Sequence, residues 1–249
     1  MPRSTAQPAD PVPGAVAPGG SNAIEGASDP SGVPRYEMPF TRVELAVLGL
    51  VDGALHVLLA RRAGEPYKGR WALPGGVLRI DLDASLEQAA QRVSRERLGG
   101  EMPYLRQLCA VGGPERDTAR SAWALSVVYR AVVDAGPLDL SAGKRVEALA
   151  WRPVEEAVCD RQLAFDHASL IERAVAATHQ EVRALDLPGG FIPATFTLGE
   201  LQALCEQMLG ERLDKSSFRR RLADRDLVEP VEGEMRTGAN RPAQVFRLK

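Results

Sequence analysis

Two stretches of this chain concentrate side chains able to do chemistry, and both are rich in arginine. From Arg212 to Arg225 the basic residues Arg212, Lys215, Arg219, Arg220, Arg221 and Arg225 are answered locally only by Asp214 and Asp224. Phe218 and Leu222, four residues apart, anchor one helical face inward and leave Lys215, Ser216, Arg219 and Arg220 pointing outward. Such guanidinium groups hold phosphates or read guanine edges, and the helix start at Ser216 and Ser217 adds a favourable dipole for a phosphate. Arg236, Asn240 and Arg241 follow in a polar loop within reach of an adjacent backbone or minor groove. A solvated basic face on a helix that packs against another region of the chain is the competing reading. The second stretch runs from Leu73-Pro74-Gly75-Gly76 to Gly99, a glycine pair ahead of a helix that carries Arg92, Glu96 and Arg97.

The elements that must position these residues are legible from periodicity. Val43 to Val51 is a branched apolar run, and Asp52-Gly53 turns it into a second strand at Leu55 to Leu59. Leu86, Ala89, Ala90 and Val93 recur at three- and four-residue steps, so Ala84 to Leu98 reads as a helix stopped by Gly99-Gly100. Further strands are expected at Leu105–Val111, Ala124–Val133 and Ala148–Arg152, and a helix over Leu163–Ala184. Beyond Leu187-Pro188-Gly189-Gly190, Thr197 and Glu200 form a capping box for a helix to Leu209, and Asp214 caps a second. Strands at Leu227–Val231 and Gln244–Leu248 complete the order helix, turn, helix, hairpin, which is that of a winged helix. The expected organisation is a disordered tail over 1–34, an α/β domain over 35–158, a connecting helix and linker over 159–190, and a winged-helix, DNA-binding domain over 191–249.

Composition sets the boundaries. The chain has 249 residues, 45% hydrophobic and 26% charged, enough for two globular domains. A net charge of -2 requires any DNA-binding face to be local. Cys109, Cys159 and Cys205 and the three histidines show no metal-ligand spacing, so buried reduced thiols and no zinc site are expected. There is no membrane-spanning run and no secretory signal, and a cytoplasmic location is expected.

The stretch from Leu73 to Gly99 resembles the Nudix box. In that family a glycine precedes a helix with the pattern Arg-Glu-apolar-x-Glu-Glu-x-Gly, and the fold is an α/β/α sandwich with a mixed sheet. Its acids share one helical face and hold Mg²⁺ against a diphosphate, which is cleaved. With Gly99 as the final glycine, Arg92 falls on the family's arginine and the acids' places hold Val93, Glu96 and Arg97. One acid of three remains, and the loop from Val77 to Ser85 is two residues longer than the pattern. No catalytic residues and no metal are therefore expected. The alternative is an active hydrolase of the ADP-ribose pyrophosphatase type, using Glu96 with Glu87 or Glu115 and keeping the winged helix as an accessory.

Together the two regions resemble the NrtR type of Nudix-related bacterial regulators, in which a degenerate Nudix domain is joined to a C-terminal winged helix. Gly112-Gly113-Pro114-Glu115-Arg116-Asp117, Phe196-Thr197-Leu198-Gly199-Glu200, Leu213 to Arg220 and Asn240-Arg241-Pro242-Ala243 carry this likeness. The resemblance implies a transcriptional repressor of NAD metabolism genes and a homodimer on double-stranded operator DNA. It also implies ADP-ribose or another NAD-derived nucleotide as effector, with no cofactor. A diphosphate calls for cations and backbone donors, and Arg62, Arg70, Arg116 and the Gly75-Gly76 turn are the candidates.

Overall fold

Strands form where branched apolar residues begin to alternate, and they set the frame for everything else. The computed structural model describes residues 23–28, 34–36, 38–117, 121–187, 190–237 and 242–249. Within the expected tail, β1 (Ala23–Ser28) pairs antiparallel with β2 (Pro34–Tyr36). Such backbone pairing, within the segment expected to be a disordered tail, needs no large side chains.

From Pro39 onward, β3 (Phe40–Val51) and β4 (Ala54–Arg62) form the expected hairpin about Asp52-Gly53. β5 (Trp71–Ala72) pairs with β4, and β6 (Gly75–Val77) pairs antiparallel with the first half of β3. Gly75-Gly76 is thus not a turn leading to the helix but a strand. A Cβ on Gly75 would collide with the Glu44 carboxylate, and one on Gly76 would lie 2.8 Å from Val93 Cγ2. Only glycine lets this backbone lie so close to the sheet and helix beneath it.

α1 (Leu86–Leu98) is capped by Ser85, whose side chain accepts from the Gln88 amide, and ends at Gly99 in the left-handed conformation with φ 81°. β7 (Arg106–Gly113) and β8 (Ala124–Asp134) follow, and β8 lies parallel to β3, with Leu45 opposite Tyr129. β9 (Val146–Pro153) returns along β4. The sheet is mixed, with α1 on one face. α2 (Val154–Cys159), unforeseen because it is only six residues long, and α3 (His167–Ala184) cover the other.

Alternation along β3 and β8 sorts the core. Val43, Leu45, Val47, Val127, Tyr129 and Ala131 pack with Ala89, Ala90 and Val93 of α1. Ala46, Leu48, Val128 and Val132 face Leu170, Ile171 and Ala174 of α3. Arg130, on the α3 side, is buried and pairs with both carboxylate oxygens of Glu181 at 2.5 Å and with the Thr178 hydroxyl.

The C-terminal region has the winged-helix order. β10 (Phe196–Thr197) leads into α4 (Leu198–Leu209), whose capping box between Thr197 and Glu200 is present on both sides. α5 (Lys215–Asp224) starts at Asp214, which accepts the Ser217 amide at 2.7 Å. β11 (Val228–Arg236) and β12 (Ala243–Leu248) form the hairpin, and β12 also pairs β10. The expected linker over 159–190 does not separate the cores on either side of it. Leu201, Cys205, Met208 and Phe218 belong to the same apolar cluster as Leu170, Val182 and Val57. Of the cysteines, only Cys205 is buried; Cys109 is half-buried and Cys159, in the last turn of α2, is exposed, against the expectation of three buried thiols. Among the described residues no helix is long and apolar enough to cross a membrane.

Gly75→Ala should destabilise the protein by about 1–3 kcal/mol in denaturant unfolding, because the new methyl overpacks the contact with Glu44. Gly64→Ala, with nothing within 4 Å of the added Cβ, serves as the control and should stay within about 0.5 kcal/mol of the parent.

Candidate functional sites: an arginine-lined cleft and a basic helix

β6, the end of β4 and the start of β9 enclose a cleft of about 490 Å³ over the N-terminal half of β3. Its charged lining is Arg42, Arg61, Arg62, Arg97 and Arg145, with Glu65 the one carboxylate among them. Of the expected ligand residues, Gly75 and Gly76 form one wall and Arg62 another. Arg62 donates through Nε to the Pro66 carbonyl at 2.7 Å and lies over the Phe165 ring at 5.0 Å.

The other two expected ligand residues are not brought here. Arg70 is exposed and lies over the Tyr67 ring at 5.5 Å. Arg116 is spent on Asp166 and on the Ser126 hydroxyl, beside a separate hollow lined by Tyr67, Phe165 and the 111–116 segment. Its sequence position on a glycine-rich segment is what made it a candidate, and tertiary packing turned it towards α3. Arg42, Arg61, Arg97 and Arg145, which line the cleft, were not among the candidates. Arg42 carried a signal, since a cation in an apolar strand demands a buried partner. Arg145 carried none.

The three positions on α1 occupy different environments. Val93 is fully buried in the core. Glu96 places Oε2 3.3 Å from Arg92 Nη1 and 3.7 Å from Arg97 Nη1, so its charge is already answered. Arg97 donates through Nε to the Gly75 carbonyl at 2.8 Å and through Nη1 to the Lys144 carbonyl at 2.9 Å. Arg92 grips Asp83 by two bonds of 2.7 Å and the Val77 carbonyl at 2.9 Å. Asp83, within the lengthened loop, is the acid that reading by register missed. Neither Glu87 nor Glu115 can complete a metal set: Glu87 accepts the Tyr129 hydroxyl about 13 Å along the helix from Glu96, and Glu115 lines the separate hollow. Among the described residues no three His, Cys, Asp or Glu side chains gather as metal ligands.

Beneath the cleft lies a row of buried charges. Arg42 donates to Glu44 at 2.9 Å, and both are almost wholly enclosed. Burial works against the Glu44 charge, but the guanidinium of Arg42, with a smaller share from Arg116, outweighs it and holds its carboxyl below the usual range. The Leu73 amide donates to His167 Nδ1 at 2.8 Å, so the ring's proton sits on Nε2, 3.8 Å from Glu44 Oε2. Burial holds His167 neutral, its pKa pushed down to about 4 despite Glu44.

α5 displays the other constellation. Phe218 and Leu222 are buried, while Lys215, Ser216, Arg219 and Arg220 are exposed and Ser217 is half-buried. Arg219 and Arg220 meet no carboxylate among the described residues. Arg221 and Arg225, by contrast, donate to the carbonyls of Arg183 and Ala184 at the end of α3. Arg236 in the wing pairs with Glu200 at the start of α4, at 2.5 Å. Asn240 and Arg241 lie outside the described residues.

Fold and sites thus define a Nudix domain joined to a winged helix. A NUDIX domain matches residues 41–174, and an NrtR DNA-binding winged helix domain matches residues 189–248. The ADPR responsive transcriptional repressor NtrR of Acinetobacter baylyi is 34% identical over 213 residues, covering 86% of this chain and 83% of its own length. The crystal structure of Shewanella oneidensis NrtR complexed with a 27mer DNA is 34% identical with a TM-score of 0.65, covering 84% of this chain and 93% of that one. The NUDIX domain of the same protein, in a cocrystal structure with ADP ribose, is 33% identical with a TM-score of 0.53, covering 60% of this chain and 93% of that one. The chain belongs to the NrtR family of Nudix-related transcriptional regulators.

Stability should fall with pH from about 6.5 towards about 4, because the unfolded chain protonates His167 in that window while the folded protein does not. Thermal unfolding followed across this range should show the decline, and His167→Gln should flatten it.

Proposed function

We propose that this protein is a DNA-binding transcriptional repressor that acts as a homodimer and is relieved or reinforced by ADP-ribose bound in the arginine-lined cleft. The observation that carries the reading is the sorting of arginines on and next to α5: Arg221 and Arg225 are spent on carbonyls of α3, whereas Arg219 and Arg220 face solvent and meet no carboxylate among the described residues. With Lys215, Ser216 and Ser217 they make the operator-reading face, joined by Asn240 and Arg241, which fall between β11 and β12 in the sequence. Arg236, held by Glu200, orients the wing against α4 and reaches DNA only by exchanging that partner.

The cleft supports a nucleotide diphosphate as effector, with Arg62, Gly75, Gly76 and the neighbouring arginines as its ligands, and NAD metabolism genes as the regulated set. The names of the relatives from Acinetobacter and Shewanella support ADP-ribose in particular. Hydrolysis is not included in this function, because two of the three acid positions hold Val93 and Arg97. Occupancy reaches the DNA through α3. The His167 side chain at its start takes the Leu73 amide at the cleft wall, and the carbonyls at its end hold Arg221 and Arg225 of α5. An effector that prefers one placement of α3 thereby shifts the population of DNA-binding dimers.

Fluorescence anisotropy on the promoter region upstream of the protein's own gene should show sequence-specific, salt-dependent binding. Arg219→Ala and Arg220→Ala should each weaken it about tenfold, with a shallower salt dependence where the lost contact is a phosphate. Binding no tighter than to unrelated DNA at moderate salt would sink the repressor reading. In the same preparation, ADP-ribose incubated with Mg²⁺ should release no AMP by chromatography; release that Glu96→Gln abolishes would reinstate the hydrolase.

A further inference from the structure

The face of α1 that turns to the cleft is where this chain departs furthest from its family's chemistry. Mg²⁺ asks for oxygen ligands in near-octahedral array. Here Val93 offers none, Glu96 is held between Arg92 and Arg97, and both oxygens of Asp83 are taken by Arg92. The residues present do not fit the ion.

They do fit an anion. Arg97 is anchored to two different walls of the cleft, by Nε to Gly75 on β6 and by Nη1 to Lys144 just before β9, and its side chain is 14% exposed. Its remaining nitrogen, Nη2, lies beside Gly76, 3.6 Å from where a Cβ would stand, on the glycine wall that lines the cleft. The guanidinium is therefore a cation set in place before any ligand arrives, with donors left over. Arg42, Arg62 and Arg145 line the same space. Burial above all disfavours the charge on Arg97; Glu96 favours it, and the like charges of Arg145, Arg42 and Arg92 each oppose it by less. An anion among these side chains relieves that repulsion.

We infer that Arg97 replaces the divalent ion of the family's hydrolases, so that the cleft clamps a diphosphate through guanidinium groups without any metal. The inference rests on the reading of this cleft as the effector site. Its chemistry follows from the ligand: a planar guanidinium offers phosphate oxygens paired, charge-assisted hydrogen bonds, and it does so without polarising a bridging bond towards a metal-activated water. A diphosphate held in this way is read and released intact.

Calorimetric titration of the full chain with inorganic pyrophosphate and with ADP-ribose, in EDTA and again in Mg²⁺, tests this. Wild-type protein should bind both ligands in EDTA at least as tightly as in Mg²⁺. Arg97→Gln should lose tenfold or more in affinity in either buffer, and Arg97→Lys, which keeps the charge, should lose less. Thermal unfolding of each variant verifies its fold, and the comparison of buffers on the wild type needs no variant at all. Loss of wild-type binding on chelation overturns the inference, as does an Arg97→Gln variant that folds and binds within twofold of wild type. Metal-free, Arg97-dependent binding of pyrophosphate without binding of ADP-ribose upholds the clamp and removes the effector. Failure of both ligands in both buffers removes both.

Discussion

The segment from Ala72 to Val77 joins the sheet through two short strands, β5 beside β4 and β6 beside β3, backed by buried charges, and the cleft, α1 and the start of α3 are arranged around that contact. Gly75 and Gly76 let the backbone sink until it touches Glu44 and Val93. Glu44 tolerates enclosure because Arg42 answers it, and His167 tolerates it by remaining neutral. The Leu73 amide then hangs on His167, and the Gly75 carbonyl receives Arg97. One short strand thus sets the height of the cleft wall, the position of its central cation and the start of α3. A single methyl group inserted at Gly75 disturbs all three together.

Charge in this protein is informative by location rather than by sum. The net value of -2 conceals a cleft whose charged lining is five arginines to one glutamate, and a helix whose outward arginines meet no carboxylate among the described residues. Elsewhere arginine is structural. Arg92 locks the lengthened loop through Asp83, Arg130 ties β8 to α3, Arg116 ties the 112–117 segment to the start of α3, and Arg221 and Arg225 tie α5 to its end. These arginines act as struts where a carboxylate or a helix-end carbonyl meets them.

The continuous apolar cluster gives a physical basis for communication between the two halves. α3 spans 18 residues, about 27 Å, and buries Leu170, Ile171, Ala174 and Val182 along its length. It shares that cluster with α4 and α5. A helix packed this closely moves as a body, since rotating one end alone would open voids at the other.

By itself the sequence determined the local elements. The hairpin at Asp52-Gly53, the caps at Thr197 and Asp214 and the stop at Gly99 depend on residue type and short-range spacing, which a chain carries wherever it folds. What the tertiary structure decided is which distant residues meet. It drew Arg42, Arg97 and Arg145 to one cleft and sent Arg70 and Arg116 elsewhere. It made a strand of Gly75-Gly76, and it joined the expected linker helix to both cores. Such meetings follow from strand register and helix docking, where energy is summed over many weak contacts at once, so no single stretch of sequence announces them.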